Sequence, residues 1–166
     1  MAEKVEVFSG KARKSGIFSY SALYNFFFTV LKDEGYIISE DKYVEKDKGE
    51  TKDLEVKWTA KKKITDYFRN EIKVSFRIFH MKEVEAEENG KKIKTNKGDL
   101  TISVSASLER DYEGKWEESP LYKFFRGIYD RYIIRTTMDE YEDKLAEKAD
   151  GYTEEVKAFL NLEGRK

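Results

Sequence analysis

The chain has 166 residues with 32 basic and 33 acidic side chains, so its formal net charge at pH 7 is −1. This length suits one domain with a sizeable core, and the near-zero charge gives no global reason to bind nucleic acid or an anionic membrane, although a local patch can still do so. No cysteine is present, which excludes disulfides, thiolate metal ligands and a cysteine nucleophile.

The N-terminal part of the chain predicts a short strand, a turn and an aromatic helix. Residues 5–7 alternate apolar and acidic side chains, as a strand does. The basic run 9–16 predicts a connection, because its glycines enclose five residues where a phosphate-binding loop has four. A helix is expected to begin after Ser19 or Ser21 and to run to Glu34. Its apolar stripe is expected to enter the core and comprises Leu23, Phe26, Phe27, Val30 and Leu31.

Alternating apolar and polar residues predict an antiparallel sheet in the middle of the chain. A weaker strand is expected over 36–46, and clearer strands are expected over 54–60, 72–78 and 100–108. Because successive side chains point to opposite faces, these strands share one apolar face that needs a cover. The residues expected on that face are Leu54, Val56, Trp58, Ala60, Ile72, Val74, Phe76, Ile78, Leu100, Ile102, Val104, Ala106 and Leu108.

The alternation changes near the end of the second clear strand. If it continued beyond Ile78, Phe79 and Met81 would point outward and His80 would point inward. A β-bulge near Phe79, an overhang of the strand beyond the core and an exposed partner surface each explain the change, and the sequence does not choose among them. His80 is the only histidine, and a lone strand histidine is more often structural than catalytic.

The last strand has an unusual outer side. Its outward residues are small and polar, namely Thr101, Ser103, Ser105 and Ser107. Serine is a weak strand former, so this row lets a helix or a second subunit approach closely, with plain solvent exposure as the simpler interpretation. A tight hairpin turn is expected before this strand, at Asn89 and Gly90.

Ser119 and Pro120 predict the start of a long C-terminal helix. The helix is expected to run to about Lys148, with a second piece after Gly151. Its first apolar residues are expected to pack on the sheet: Leu121, Phe124, Phe125, Ile128, Tyr132 and Ile133. Alternating spacings of four and three residues then predict a coiled-coil-like seam formed by Ile134, Met138, Tyr141 and Leu145.

Charge divides this predicted helix into two halves. Residues 121–137 carry four basic side chains and one acidic one, whereas residues 138–149 carry two basic and five acidic ones. This order opposes the helix dipole, which favours anions at the N-terminus and cations at the C-terminus. An antiparallel copy of the same helix would place each half against its opposite, so residues 134–162 are interpreted as a candidate dimerisation extension.

The element order predicts one α+β domain over residues 1–166. A curved antiparallel sheet of about five strands is expected to pack against one N-terminal helix and the long C-terminal helix. This order resembles that of helix-grip folds, although a single N-terminal helix replaces their usual pair. The resemblance implies an apolar ligand held between sheet and helix, but fold alone does not fix function.

Three functions follow as alternatives. The leading hypothesis is a non-enzymatic binding or scaffold protein that forms a homodimer through the seam. The second is a carrier of an apolar small molecule, whose cavity is expected among Trp58, Phe76, Val104 and Phe125. The third is binding to RNA or the ribosome through basic patches that comprise Lys61, Lys62, Lys63, Lys91, Lys92, Lys94, Arg126, Arg131 and Arg135.

No catalytic residues, metal site or cofactor are predicted. Nucleophilic triads, clustered-histidine zinc sites and nucleotide-binding loops lack their residues, while a carboxylate or lysine active site stays open. No membrane span is expected and the first seven residues lack an apolar run of signal-peptide length, so we expect a cytoplasmic protein. The absence of glutamine and the abundance of Lys and Glu favour a thermophilic source, with biased genomic composition as the alternative.

Overall fold

Five long strands form one open antiparallel sheet with a helix near each end of the chain. The computed structural model describes residues 3–113, 120–128, 131 and 135–163. Neighbouring strands pair in the order β1-β5-β4-β3-β2, so β1 and β2 form the sheet edges. The elements are β1 (Glu3–Phe18), α1 (Tyr20–Asp33), β2 (Ile37–Asp47), β3 (Lys52–Lys63), β4 (Phe68–Glu88), β5 (Lys91–Arg110), α2 (Pro120–Ile128) and α3 (Arg135–Glu163). The predicted α+β class, with about five antiparallel strands, is confirmed.

β1 is longer than the sequence predicts. It pairs with β5 along its whole length, so the predicted turn over 9–16 is wrong. Gly10 and Ala12 lie on the covered side of this strand, where Ala12 is buried. A Cβ built on Gly10 would lie 2.8 Å from the ring of Phe8 and 3.6 Å from Thr153 of α3. Gly10 therefore leaves the space that the ring of Phe8 occupies, next to Thr153 of α3, and it does not make a turn.

α1 begins and ends at the residues that the sequence indicates. The hydroxyl oxygen of Ser19 accepts a hydrogen bond from the backbone N–H of Ala22 at 3.2 Å, which satisfies one free donor of the first turn. Gly35 follows the helix with φ of +94°, a conformation that glycine adopts without strain. The buried residues of the helix are Leu23, Phe27 and Leu31.

Aromatic rings fill the space between α1 and the sheet. The ring of the buried Trp58 on β3 lies 4.9 Å from that of Phe76 on β4 and 4.7 Å from that of Tyr24 on α1. Phe27 and Phe28 contact the same indole at 6.2 and 5.9 Å. Such tilted and edge-to-face pairs each contribute about 0.5–1.5 kcal/mol beyond the burial of apolar area. The indole therefore joins α1 to the centre of the sheet.

The change of alternation in β4 is a β-bulge. The register against β5 shifts between Phe79 and Lys82, and His80 takes a φ of 57°. The extra residue turns Met81 into the core and leaves Phe79 44% exposed. Gly98 lies opposite the bulge, where a Cβ would approach the carbonyl oxygen of Phe79 to 3.0 Å. Of the three explanations open from the sequence, the structure shows the bulge.

α3 covers the side of the sheet formed by β1 and β5. It continues through Gly151 to Glu163, so the predicted separate piece after Gly151 is wrong. Its buried side chains are Leu145, Ala149, Tyr152, Thr153, Val156 and Leu160. The covered face of the sheet is thus shared between α1 and α3.

The predicted packing of the first C-terminal helical residues on the sheet is also wrong. The large apolar side chains of α2 are exposed, namely those of Leu121, Phe124, Phe125 and Ile128. They are not needed on the sheet, because α1 and α3 already bury its apolar residues. Tyr132 and Ile133 lie outside the described residues.

Replacing Phe76 with alanine should lower the free energy of unfolding by about 3–5 kcal/mol, because the ring is buried and the cavity left behind is only partly refilled. The matched control is Phe79→Ala on the same strand, which should cost less than about 1 kcal/mol because that ring is exposed. Urea unfolding followed by circular dichroism measures both changes. Equal losses in the two variants would contradict the burial of Phe76.

Candidate functional site

The four residues of the predicted ligand cavity do not all come together. Trp58, Phe76 and Val104 are buried on the covered face of the sheet, and the first two are in ring contact. The ring of Tyr24 on α1 packs against both of these rings. Phe125 is 47% exposed on α2. A ligand between the sheet and α1 would therefore have to displace the ring of Tyr24.

The predicted seam residues lie against the sheet of their own chain. Leu145 is buried, and the ring of Tyr141 lies 5.3 Å from that of Phe68 on β4. Met138 is partly buried against the same core. Ile134 lies outside the described residues. The three described side chains therefore contribute to the core of this chain.

The local run of lysines on β3 is divided between the two faces of the sheet. Lys61 and Lys63 share one face, where they lie opposite Glu71 and Arg69 in the register with β4. Lys62 points to the other face, with its ammonium nitrogen 5.8 Å from the centre of the Tyr36 ring. Only two of these three lysines can therefore contribute to one surface.

The other predicted basic residues lie elsewhere. Lys91–Lys94 begin β5, at the far end of the β4–β5 hairpin from Lys61. The strand register separates the two groups by about 17 residues of β4, or roughly 55 Å of extended chain. Arg131 and Arg135 are exposed, and the side chain of Arg126 lies outside the described residues. Lys61 and Lys91–Lys94 thus belong to separate patches.

The sheet face that points away from α1 and α3, which we call the outer face, carries two adjoining depressions. The first, the serine trough, has a volume of about 360 Å³, and the second, the basic groove, has a volume of about 690 Å³. Asp41, Thr59 and Lys73 line both, so the two meet. The serine trough is further lined by Ser9, Lys57, Ser75, Arg77, Ser103 and Ser105. The basic groove is further lined by Lys4, Ile37, Ser39, Lys61, Lys63, Arg69, Glu71, Tyr112 and Glu113.

Strand register explains the shape of the serine trough. β4 places Lys73 and Ser75 on the outer face, and their partners on β5 are Ser105 and Ser103. Serine side chains are short and lysine side chains are long, so the serines of β5 form a low floor beside the cationic side chains of β3 and β4. The row of small residues that the sequence analysis singled out on the last strand therefore lines a depression.

Two buried carboxylates hold the cations of the basic groove. Glu71 is 3% exposed and Glu109 is 1% exposed. The Nζ atom of Lys4 lies 3.0 Å from Oε2 of Glu71 and 3.2 Å from Oε1 of Glu109. The Nε–H of Arg69 donates to Oε2 of Glu109 at 2.5 Å, and Lys61 lies 3.6 Å from Glu71. Each carboxylate therefore pairs with at least two cations, as a buried charge requires.

Burial and ion pairing shift the pKa values of this cluster in opposite directions. Burial alone would raise the pKa of the Glu109 carboxyl, but hydrogen bonds from Arg69 and Lys4 outweigh it and hold the pKa below its ordinary value. Burial also opposes the charge on Lys4, yet hydrogen bonds to Glu71 and Glu109 raise the pKa of its ammonium group. Lys4 and Glu109 are therefore both charged at neutral pH.

Tyr112 holds Arg69 from another side. The guanidinium carbon lies 4.7 Å from the centre of the tyrosine ring, within the range of a cation–π contact. The Tyr112 hydroxyl donates to the carbonyl oxygen of Thr65 at 2.9 Å, which fixes the ring. Arg69 is thus positioned before any ligand binds, and this lowers the entropy cost of binding.

The lining of the two depressions has an excess of positive charge. Seven lining side chains are basic and three are acidic, whereas the whole chain carries a formal charge of −1. Lysine and arginine next to hydroxyl groups bind phosphate and carboxylate groups. Within the part of the chain that the structure describes, no three His, Asp or Glu side chains are arranged to hold a metal ion. The chemistry of the outer face is therefore suited to an extended anion.

Sequence reasoning placed Lys61 and Lys63 in a basic patch and singled out Ser103 and Ser105, but its patch left out Lys4, Arg69 and Lys73. The alternation of β4 contained a signal for the last two, because its outward positions carry charges while its inward positions are apolar. No local signal could have placed Lys4, since it reaches the site through the pairing of β1 with β5.

His80 lies outside this site and takes part in the bulge. Its backbone N–H donates to Oδ1 of Asp53 at 3.1 Å, and its Nδ1 lies 3.4 Å from Oδ2 of Asp99. Both contacts hold the bulged segment of β4 against its neighbours. These contacts are consistent with a structural role of His80 in the sheet.

Comparison with known proteins adds no family to this description. No protein-family model matches the chain, and no curated protein matches its sequence. Among the described residues, no helix combines the length and the apolar character needed to cross a bilayer. The candidate site therefore rests on the geometry and charge of the outer face.

Replacing Glu109 with glutamine should flatten the loss of stability in acid. Because its pKa is lowered in the folded state, this carboxylate contributes stability above its ordinary pKa of 4.5, and that contribution is lost as the pH falls through the folded-state value. Glutamine keeps the size but does not titrate. The variant should therefore be less stable at neutral pH and should lose less stability between about pH 5 and pH 3.

Urea unfolding midpoints of the wild type and of Glu109→Gln, measured between about pH 5 and pH 3, give the slope of stability against pH for each protein. A variant curve that runs parallel to that of the wild type would count against the pairing of Glu109 with Lys4 and Arg69.

Proposed function

We propose that this protein is a non-enzymatic RNA-binding protein whose outer face binds a single strand of RNA. The observation that supports the proposal is the excess of cations along two adjoining depressions whose floor is small and hydroxylated. The basic residues that line them are Lys4, Lys57, Lys61, Lys63, Arg69, Lys73 and Arg77.

The depressions are long enough for several phosphate groups. The outward basic residues of β4 extend from Arg69 to Arg77, which is roughly 26 Å of strand. Contacts between phosphates and lysine or arginine release counterions and supply affinity that does not depend on base sequence. A strand that follows β4 therefore binds with an affinity that falls steeply as salt is added.

The hydroxyl groups of the serine trough suit the ribose-phosphate backbone. Ser75, Ser103 and Ser105 can donate to phosphate oxygens or pair with the ribose 2′-hydroxyl, a group that distinguishes RNA from DNA. Tyr112 is half-buried and its ring already faces Arg69, so it contributes little stacking area to bases. Binding is therefore expected to be weakly selective among RNA sequences.

The homodimer and the apolar carrier stay predictions. The described seam residues pack into the core of their own chain, and Tyr24 fills the space beside the predicted cavity. Native mass spectrometry tests the dimer, and a rise in melting temperature with apolar additives tests the carrier. The outer face combines cations and hydroxyl groups along two adjoining depressions, which favours RNA binding over the homodimer and the apolar carrier.

Replacing Lys57 and Lys73 with glutamine should weaken RNA binding. Both side chains are exposed, and their acidic neighbours Glu55 and Glu71 keep other cationic partners, so the fold should be retained. Fluorescence anisotropy with a labelled polyuridine of about twelve nucleotides measures affinity at several salt concentrations. The slope of log affinity against log salt should fall by about 1.4, that is, about 0.7 for each lost phosphate contact.

The matched control is Lys91→Gln plus Lys92→Gln, which removes the same two charges at the far end of the hairpin. This control should bind RNA like the wild type. Equal weakening of both variants would show that binding follows net charge and not the outer face. A wild-type protein that does not bind RNA at about 50 mM salt, where phosphate contacts are strong, would refute the proposal.

A further inference from the structure

α2 exposes a row of large apolar side chains. Leu121, Phe124 and Phe125 are 60%, 63% and 47% exposed, and Tyr122 and Ile128 are 51% and 38% exposed. Positions 121, 124, 125 and 128 fall on one face of a helix. Such a face normally covers a core, but α1 and α3 already cover this sheet. A large exposed apolar patch marks an interaction site.

The charged residues of α2 are all basic. Pro120–Ile128 contains Lys123 and Arg126 and no acidic residue. Two further arginines, Arg131 and Arg135, follow within the next seven positions, with Asp130 as the single acid among them. Aromatic and aliphatic residues on one face, combined with basic residues on the other, are typical of helices that lie in the plane of a membrane surface.

We infer that α2 binds the surface of an anionic lipid bilayer and lies parallel to it. The rings of Phe124 and Phe125 enter the boundary between headgroups and acyl chains, and Lys123 remains with the lipid phosphates. The bilayer thus covers the apolar face of α2, which the sheet of this protein does not cover.

A second copy of the chain fits this helix less well. The exposed side of α3 carries Asp139, Glu140 and Asp143, which complement the positive charge of α2. None of the large exposed hydrophobic side chains of the described residues lies on α3, however, so the rings would rest on a polar surface. A second α2 would bury the rings but would bring like charges together. An anionic bilayer offers both apolar depth and negative charge.

Sedimentation with lipid vesicles tests this inference on the full chain. The wild type should pellet with phosphatidylcholine vesicles that contain about 30% phosphatidylglycerol, and should bind pure phosphatidylcholine about tenfold more weakly. The variant Phe124→Ser plus Phe125→Ser should bind the anionic vesicles about tenfold more weakly than the wild type. Its urea midpoint should be unchanged, because the two rings are exposed.

The matched control is Phe79→Ser plus Ile93→Ser, which removes two exposed hydrophobic side chains from the sheet and should bind vesicles like the wild type. The variant Lys57→Gln plus Lys73→Gln should also bind vesicles normally, since its charges belong to the outer face. Loss of vesicle binding in either control would overturn the assignment to α2.

Two other results would also overturn it. One is a wild-type protein that does not pellet with anionic vesicles. The other is a native mass of two copies that Phe124→Ser plus Phe125→Ser reduces to one, without vesicle binding, because α2 would then be a contact between copies of the chain.

Discussion

The alternation of side chains along β4 is the constraint on which the rest of the structure depends. Because Val74 and Phe76 must face the helices to be buried, Lys73 and Ser75 must face the other way. Because the apolar residues of β4 must face the core, the alternation also determines which residues of this strand lie on the outer face. The same alternation places Glu71 on the outer face. Its carboxylate is buried there, and a buried charge requires the cations that surround it. One strand thus determines both the core and the charged surface behind it.

The fold could be predicted wherever one periodicity continued without interruption. The inner sides of β3, of β4 up to Ile78 and of β5 are of this kind, whereas the cap at Ser19 was indicated by its residue type. Prediction failed where a residue type has two uses: Gly10 is typical of a turn, but in β1 the same small residue leaves room for the ring of Phe8. Residues 121–128 have the apolar spacing of a buried helix, yet α3 packs on the sheet and the side chains of α2 are exposed. No pattern within residues 121–128 shows that another helix occupies that position.

The candidate site was harder to predict because it joins distant segments. Lys61 and Lys63 were visible as part of a local basic run, but that run also includes Lys62, which points to the other face. Lys4 pairs with Glu71, which lies 67 positions later in the chain. A run of like charge in a sequence therefore indicates a patch in space only after the faces and partners of its strands are known. The outward residues of β4 could be predicted from the alternation of that strand alone. Their neighbours on β1 could be predicted only once the order of the strands in the sheet was known.

The pairing of the first strand with the last one also governs the order in which the molecule can form. β4 and β5 are joined at Asn89 and Gly90, whose φ angles of 52° and 77° close a tight turn, so this hairpin forms through a short loop. β1 can pair along its whole length only when residues up to Arg110 are available, because Glu3 lies opposite that residue. During synthesis, α1 is therefore complete before the sheet that covers its rings exists. The rings of α1 are therefore uncovered in the nascent chain until β3 and β4, which carry Trp58 and Phe76, have been made.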